Sequence, residues 1–228
     1  MIMPVGEFIA ENRVEPVVND FSITVCTVNG SGSQTSNLTI LRALFKMGIP
    51  VSGKNLFPSN IQGLPTFYTI RVSKYGYLAR REEHEVVVAM NPATFLKDLQ
   101  AVSPGGAFFY ADDIKMAIPR KDIIVYPMPV KKIVREADIP TNLRDYVANM
   151  VYVGVLANIL RIDLEKISQA LNFHFKGKQK PVELNFGVVK MAHEWAEQNL
   201  EKKDPYFIEP MNATEGLIMT DGNTAAAL

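Results

Sequence analysis

The chain has 228 residues, 47% of them hydrophobic and 21% charged, a balance that suits one large packed domain with appendages and excludes a disordered chain. Its 24 Lys plus Arg equal its 24 Asp plus Glu, so no net basic field exists to collect nucleic acid. Cys26 is the only cysteine, which excludes an internal disulfide and any iron–sulfur or zinc site built from several thiolates of this chain.

Residues 1–20 carry Glu7, Glu11 and Glu15 and lack the basic start and apolar middle of a signal peptide. They are expected to form an N-terminal arm. No stretch approaches the ~18 consecutive apolar residues of a membrane span, and the expectation is a cytoplasmic protein that spans no membrane. In residues 21–28 Phe21, Ile23 and Val25 alternate with smaller or polar side chains, which predicts a strand. Residues 29–36, Asn-Gly-Ser-Gly-Ser-Gln-Thr-Ser, form a glycine loop. A helix is expected over 37–47, with Leu38, Leu41, Leu44 and Phe45 at helical spacing before Gly48.

Residues 49–52 are expected to form a second strand and 54–65, rich in Pro, Ser, Asn and Gly, a long ordered loop. The alternation over 66–73 predicts a strand ending in a tight turn at 74–76. Residues 85–90 form a nearly continuous apolar run, as in a parallel strand buried on both faces. Asn91 and Pro92 suit the start of a helix over 93–101, and Ser103-Pro-Gly-Gly106 closes it. Further strands are expected over 107–110 and 122–126. From Pro140 the period changes, and helices are predicted over 142–161, 163–175 and 181–200, the second capped by Asp163. The fold class expected is α/β: a mainly parallel, Rossmann-like sheet with a helical C-terminal half and an extended tail over 202–219.

The glycine loop carries the clearest chemistry. Backbone N–H groups at a strand-to-helix turn converge on a helix N-terminus, whose partial positive charge favours phosphate. Gly30 and Gly32 match the first two glycines of a dinucleotide fingerprint, but Thr35 stands at the third. No acidic residue follows the expected second strand to hold a ribose hydroxyl, where Lys54 and Asn55 stand instead. A conventional NAD site is disfavoured, leaving an anion site of another kind or a purely structural turn.

Other candidates give less. Cys26 sits in an apolar run and suits a core thiol. His193-Glu-Trp-Ala-Glu197 lacks the second histidine of a zinc-protease helix. Ser31, Ser33 and Ser36 lack a hydrolase elbow, and His84 and His174 have no evident catalytic partner. Asp221-Gly-Asn223 has half the pattern of a thiamin diphosphate and magnesium motif, but Asp221 or Asn223 as the cap of a helix explains it better. That helix is barely begun at Leu228, so the chain is expected to be part of a longer polypeptide.

Together Gly30-Ser-Gly-Ser-Gln-Thr35, Phe57-Pro-Ser-Asn-Ile-Gln-Gly-Leu-Pro-Thr-Phe-Tyr68, Ile70-Arg-Val-Ser73 and Val88-Ala-Met-Asn91 resemble the gamma-type domain of 2-oxoacid:ferredoxin oxidoreductases. The resemblance is to the type fused ahead of the alpha domain, as in 2-oxoglutarate:ferredoxin oxidoreductase. It runs over about 21–200, and 220–228 resembles the opening of the alpha, pyrimidine-binding, domain. It implies residues 1–20 as an arm, 21–201 as the gamma-type domain and 202–228 as a linker into the truncated start of the alpha domain.

The family's activity is the interconversion of a 2-oxoacid plus coenzyme A with acyl-coenzyme A plus carbon dioxide, electrons passing through iron–sulfur clusters to ferredoxin. By this resemblance, thiamin diphosphate, magnesium and the clusters sit mostly outside this chain, which has no catalytic residue or metal site of its own. Its partners are the remaining alpha domains, the beta subunit and, through the complete enzyme, ferredoxin. The implied role is coenzyme A binding and subunit packing. The implied contact residues are Gly30, Ser31, Gly32, Ser33, Gln34, Thr35, Ser59, Asn60 and Gly63, with Lys54 or Arg71 available to neutralise phosphate.

Overall fold

A computed structural model describes residues 15–57 and 63–227. Ser59 and Asn60, and the arm as far as Val14, lie outside the described residues. In chain order the elements are β1 (Val17–Val18), β2 (Asp20–Val28), α1 (Ser33–Lys46), β3 (Val51–Leu56), β4 (Pro65–Ser73) and β5 (His84–Ala89). Next come α2 (Phe95–Ala101), β6 (Val102–Ala111), β7 (Ile124–Met128) and α3 (Val130–Glu136). After a single 3-10 turn follow α4 (Arg144–Val147), α5 (Met150–Leu160), α6 (Leu164–His174), α7 (Gln179–Asn199), β8 (Tyr206–Phe207) and α8 (Gly222–Ala226).

The main sheet has the order β3-β4-β2-β5-β6-β7. β2, β5, β6 and β7 are parallel neighbours. β4 is antiparallel to both β2 and β3. The mainly parallel α/β sheet with a helical C-terminal half is therefore present, with a two-strand antiparallel flap at one edge. Alternation along β2 puts Phe21, Ile23 and Val25 on one face, where they join the core with Ile40 and Leu44 of α1 and much of α5. Ser22, Thr24 and Cys26 point to the other face, where Phe95 of α2 meets Phe108 and Tyr110 of β6 edge-on.

Several expectations need correction. The segment expected as a loop from residue 54 is ordered through Leu56 as the end of β3, pairing Lys54 with Thr69 and Leu56 with Phe67. A partner strand satisfies the backbone whatever the strand propensity of Gly, Lys and Asn, and an exposed lysine suits an edge strand. α1 begins at Ser33, four residues before its expected start at Asn37. α2 begins at Phe95, because residues 92–94 form a turn in which the Ala93 N–H donates to Asn91 Oδ1 at 3.0 Å.

The helix expected over 142–161 is broken into a 3-10 turn, α4 and α5. α3 and the pairing of Val17 and Val18 with Tyr206 and Phe207 had no predicted counterpart.

The C-terminal tail folds back as a strap. Asp204, almost fully buried, accepts from Tyr126 Oη at 2.7 Å and from Lys202 Nζ at 2.6 Å. Beyond β8, the Met211 N–H donates to Met47 O at 2.8 Å, the Ala213 N–H to Gly48 O at 2.9 Å, and Thr214 Oγ1 to Phe45 O at 2.8 Å. The strap thus takes the Met47 and Gly48 carbonyls just past the end of α1, which the helix itself does not satisfy, and adds a second donor to Phe45 O, which already accepts the Gly48 N–H at 3.0 Å. Gly48, at φ +82°, permits the approach: a Cβ there would lie 1.8 Å from Met211 O. Gly48→Ala should release the strap and lower stability by ~1–3 kcal/mol. Hydrogen exchange would show lost protection at Met211 and Ala213, with β2 and β5 still protected.

Candidate functional site

The glycine loop lies where β2 leaves the sheet and α1 begins. Gly30 and Gly32 have φ of +86° and +80°, backbone that side-chain-bearing residues rarely adopt. The Ser31 N–H donates to Val28 O at 3.2 Å, closing the turn. Gly32 is the N-cap of α1 and offers no capping side chain; the Thr35 N–H donates to Gly32 O at 3.2 Å, which leaves the Ser33 and Gln34 N–H groups without an acceptor within the helix. With no acidic residue in that turn, the positive end of the helix dipole is left for an anion.

The predicted residues divide by position. Gly30 and Gln34 are exposed, Ser31, Gly32 and Thr35 are half-buried, and Ser33 is buried. Ser33 Oγ accepts from Thr27 Oγ1 at 2.8 Å, so its hydroxyl braces the loop instead of facing a ligand. Thr35 Oγ1 lies 3.2 Å from His174 Nε2. Because Arg42 Nη1 sits 3.2 Å from His174 Nδ1 and a guanidinium can only donate, Nδ1 is the acceptor and Nε2–H donates to Thr35. Burial, then the neighbouring Arg42 guanidinium, pushes the His174 pKa down, which favours this neutral form.

Gly63, exposed at φ +91°, does join the loop: its N–H donates to Asn29 O at 3.1 Å, and the Asn29 N–H donates to Leu64 O at 2.8 Å. Arg71 does not. It is buried toward the far end of β2, opposite Ser22, and bound to Asp20, so it cannot neutralise charge at the loop. Lys54 is exposed on β3.

The helical half supplies residues that motif reasoning did not find. Asn149 Nδ2 donates to Ser31 O at 2.7 Å. Tyr152 Oη donates to Asn37 Oδ1 at 2.8 Å. A Cβ on Gly32 would sit 3.2 Å from the Tyr146 carbonyl. Each brace is more than a hundred residues away in sequence from the part it holds, so no local pattern could reveal it, and Asn149 fell inside the helix expected over 142–161.

The dinucleotide reading is further weakened by topology. The parallel neighbour of β2 is β5, not β3, and β5 leads to Met90 and Asn91 instead of an acidic residue. No group of three or more His, Cys, Asp or Glu among the described residues could hold a metal ion. Asp221 caps α8, accepting from the Thr224 N–H and Thr224 Oγ1, each at 2.9 Å. These residues alone do not fit a magnesium–thiamin site. Among the described residues no helix is long and apolar enough to cross a membrane.

Fold and loop together define an α/β domain with a glycine turn between β2 and α1. Residues 22–195 match the family model described as pyruvate ferredoxin/flavodoxin oxidoreductase. The chain belongs to that family.

Among curated proteins it is 18% identical over 248 aligned positions to 2-oxoacid:ferredoxin oxidoreductase 2, subunit alpha, of Aeropyrum pernix, an alignment covering 92% of this chain but 39% of that relative. Among solved structures, 2-oxoglutarate:ferredoxin oxidoreductase from Magnetococcus marinus, with 2-oxoglutarate, coenzyme A and succinyl-CoA bound, superposes with a TM-score of 0.76 at 23% identity. That match covers 86% of this chain and 34% of the other. A keto/oxoacid ferredoxin oxidoreductase gamma subunit from Geobacter sulfurreducens gives a TM-score of 0.63 at 15% identity, covering 78% of this chain and 99% of the subunit. At such identities the structural matches establish the fold.

Proposed function

We propose that the chain is the gamma-type domain of a cytoplasmic 2-oxoacid:ferredoxin oxidoreductase and contributes coenzyme A binding and subunit packing to it. The observation that carries this reading is the glycine turn opening onto the bare start of α1 in a chain of this family. A phosphate of coenzyme A would be received by the Ser33 and Gln34 N–H groups, with Gly30 allowing close approach and Ser31 and Gln34 offering hydrogen bonds. Ser59 and Asn60 would complete the polar wall next to Gly63. The bracing by Asn149 and His174 preorganises the loop, so less ordering cost falls on the ligand.

The relatives named as subunits support a place in a larger complex with alpha domains, a beta subunit and ferredoxin. Residues 21–201 form the domain in this reading, and 202–228 lead toward the alpha domain. Thiamin diphosphate, magnesium and iron–sulfur clusters would supply carbon and electron chemistry from other parts of that complex. The part played by this chain's residues is to hold and orient the acyl acceptor.

The test is Gln34→Glu in the complete enzyme, which puts a negative charge on an exposed side chain in the first turn. The KM for coenzyme A should rise about tenfold, ~1.4 kcal/mol, while coenzyme A-independent decarboxylation of the 2-oxoacid stays near its original rate. An unchanged KM in an assembled, active enzyme would place the coenzyme A site elsewhere.

A further inference from the structure

On the sheet face away from α1, a cavity of about 200 Å³ lies between α2 and strands β2, β4 and β5. Its walls are more polar than a sheet-to-helix interface requires. Thr24 and Thr69, direct partners across β2 and β4, are 3% and 4% exposed, with their hydroxyls 3.4 Å apart. His84 Nδ1 lies 3.0 Å from Thr24 Oγ1, and Nε2 has no hydrogen-bond partner among the described residues. Asp98 of α2, also buried, accepts from Thr94 Oγ1 at 2.7 Å. Burial lifts the Asp98 carboxyl above its ordinary range, and burial of the adjacent Cys26 raises the thiol well above its own.

Lys97 and Arg80, both exposed, stand at the opening and make no salt bridge among the described residues. Phe67 and Val87 supply an apolar wall, with the Lys97 ammonium 5.5 Å from the Phe67 ring centre.

The composition restricts what fits. Walls bearing hydroxyl, imidazole and carboxyl groups do not stay dry. The volume falls below the ~300 Å³ at which drug-sized pockets begin, so the occupant is small. Two cations at the opening favour an anion, whereas the Asp98 carboxyl within disfavours a dianion such as phosphate. The apolar wall asks for a hydrocarbon part.

We propose that this cavity binds a small organic monoanion, a carboxylate on a short hydrocarbon stem, with its head at Lys97, Arg80 and His84 and its stem against Phe67 and Val87. The site is separate from the glycine loop, which opens on the α1 side, and it does not depend on the coenzyme A reading.

The probe is 3-methylbutanoate, titrated into the isotope-labelled chain and followed by amide NMR, with 3-methylbutan-1-ol and inorganic phosphate as comparisons. Saturable shifts are expected at Thr24, Thr69 and His84 with a Kd of order 1 mM, and about tenfold weaker binding of the alcohol and of phosphate. Lys97→Glu should weaken 3-methylbutanoate about tenfold, and Ala101→Trp, which fills the cavity from an exposed position on α2, should abolish the shifts. Both variants alter exposed residues, so their spectra should remain those of the folded chain.

The proposal falls if no shifts appear up to about 20 mM, or if the alcohol or phosphate binds as well as the carboxylate. It falls equally if the shifts map to Gly30 and Gln34 instead, or if folded Ala101→Trp binds unchanged.

Discussion

Gly154→Val is expected to destabilise the domain by ~3 kcal/mol or more, enough to leave much of it unfolded when the whole stability of a domain is only ~5–15 kcal/mol. α5 is apolar around nearly its whole circumference and all but Asn158 of its residues are buried, so it is the central helix of the C-terminal half. It packs most closely on α7 at Gly154. A Cβ there would lie 2.3 Å from the Val189 carbonyl oxygen, 2.7 Å from Ala192 Cβ and 3.0 Å from the His193 nitrogen. Two of these are backbone atoms that cannot rotate away, so the helices must separate, and close-packed interiors do not absorb such a shift.

The same residue type on the partner helix should respond with the opposite sign. Gly187 in α7 has open space where its Cβ would stand, and Gly187→Ala should stabilise by ~0.5–1 kcal/mol through helix propensity. Urea denaturation of the two variants checks both, and a Gly154→Val chain as stable as the parent would show that α5 and α7 pack otherwise.

Asp20→Ala should cost ~3–5 kcal/mol, and Arg71→Met clearly less. Arg71 is 2% exposed, and its guanidinium is bound to the Asp20 carboxylate and to the Val72 carbonyl. Removing Asp20 strands a cation in a place water hardly reaches. Removing Arg71 leaves Asp20, 21% exposed, with Arg81 still 3.4 Å away, and a methionine fills the space without a charge. Arg81 also lies 3.4 Å from Glu85, which accepts the Ser22 N–H at 3.0 Å, so the cluster staples the start of β2 to β5. Equilibrium unfolding of the two variants reads the asymmetry. Equal losses would mean that the pair acts through its mutual attraction and not through the burial of the guanidinium.

The sequence made the central parallel strands legible because their signal is local. After Glu85, residues 86–90 are apolar on both faces because a strand inside a parallel sheet is covered twice, and β2 shows its alternation for the same kind of reason. The polar half of that alternation, Ser22, Thr24 and Cys26, looked like ordinary spacing until the fold set Thr24 and Cys26 on a cavity wall. The glycine loop was also legible, since Gly30 and Gly32 announce backbone that other residues avoid.

What could not be read depended on partners distant in the chain. The strand character of residues 53–56 comes from β4, the break before α5 serves to bring Tyr146 and Asn149 to the loop, and β1 exists only because the strap returns beside it. Arg71 shows the limit most clearly. A lysine or arginine in a sequence is a mobile cation that could serve any nearby anion, and only the three-dimensional arrangement showed this one buried against Asp20. Composition, periodicity and turn chemistry by themselves determined the fold class and placed a glycine turn at the start of the first helix. Tertiary structure alone decided which side chains face that turn, because burial and long-range pairing are properties of the packed chain and leave no trace in the spacing of residues.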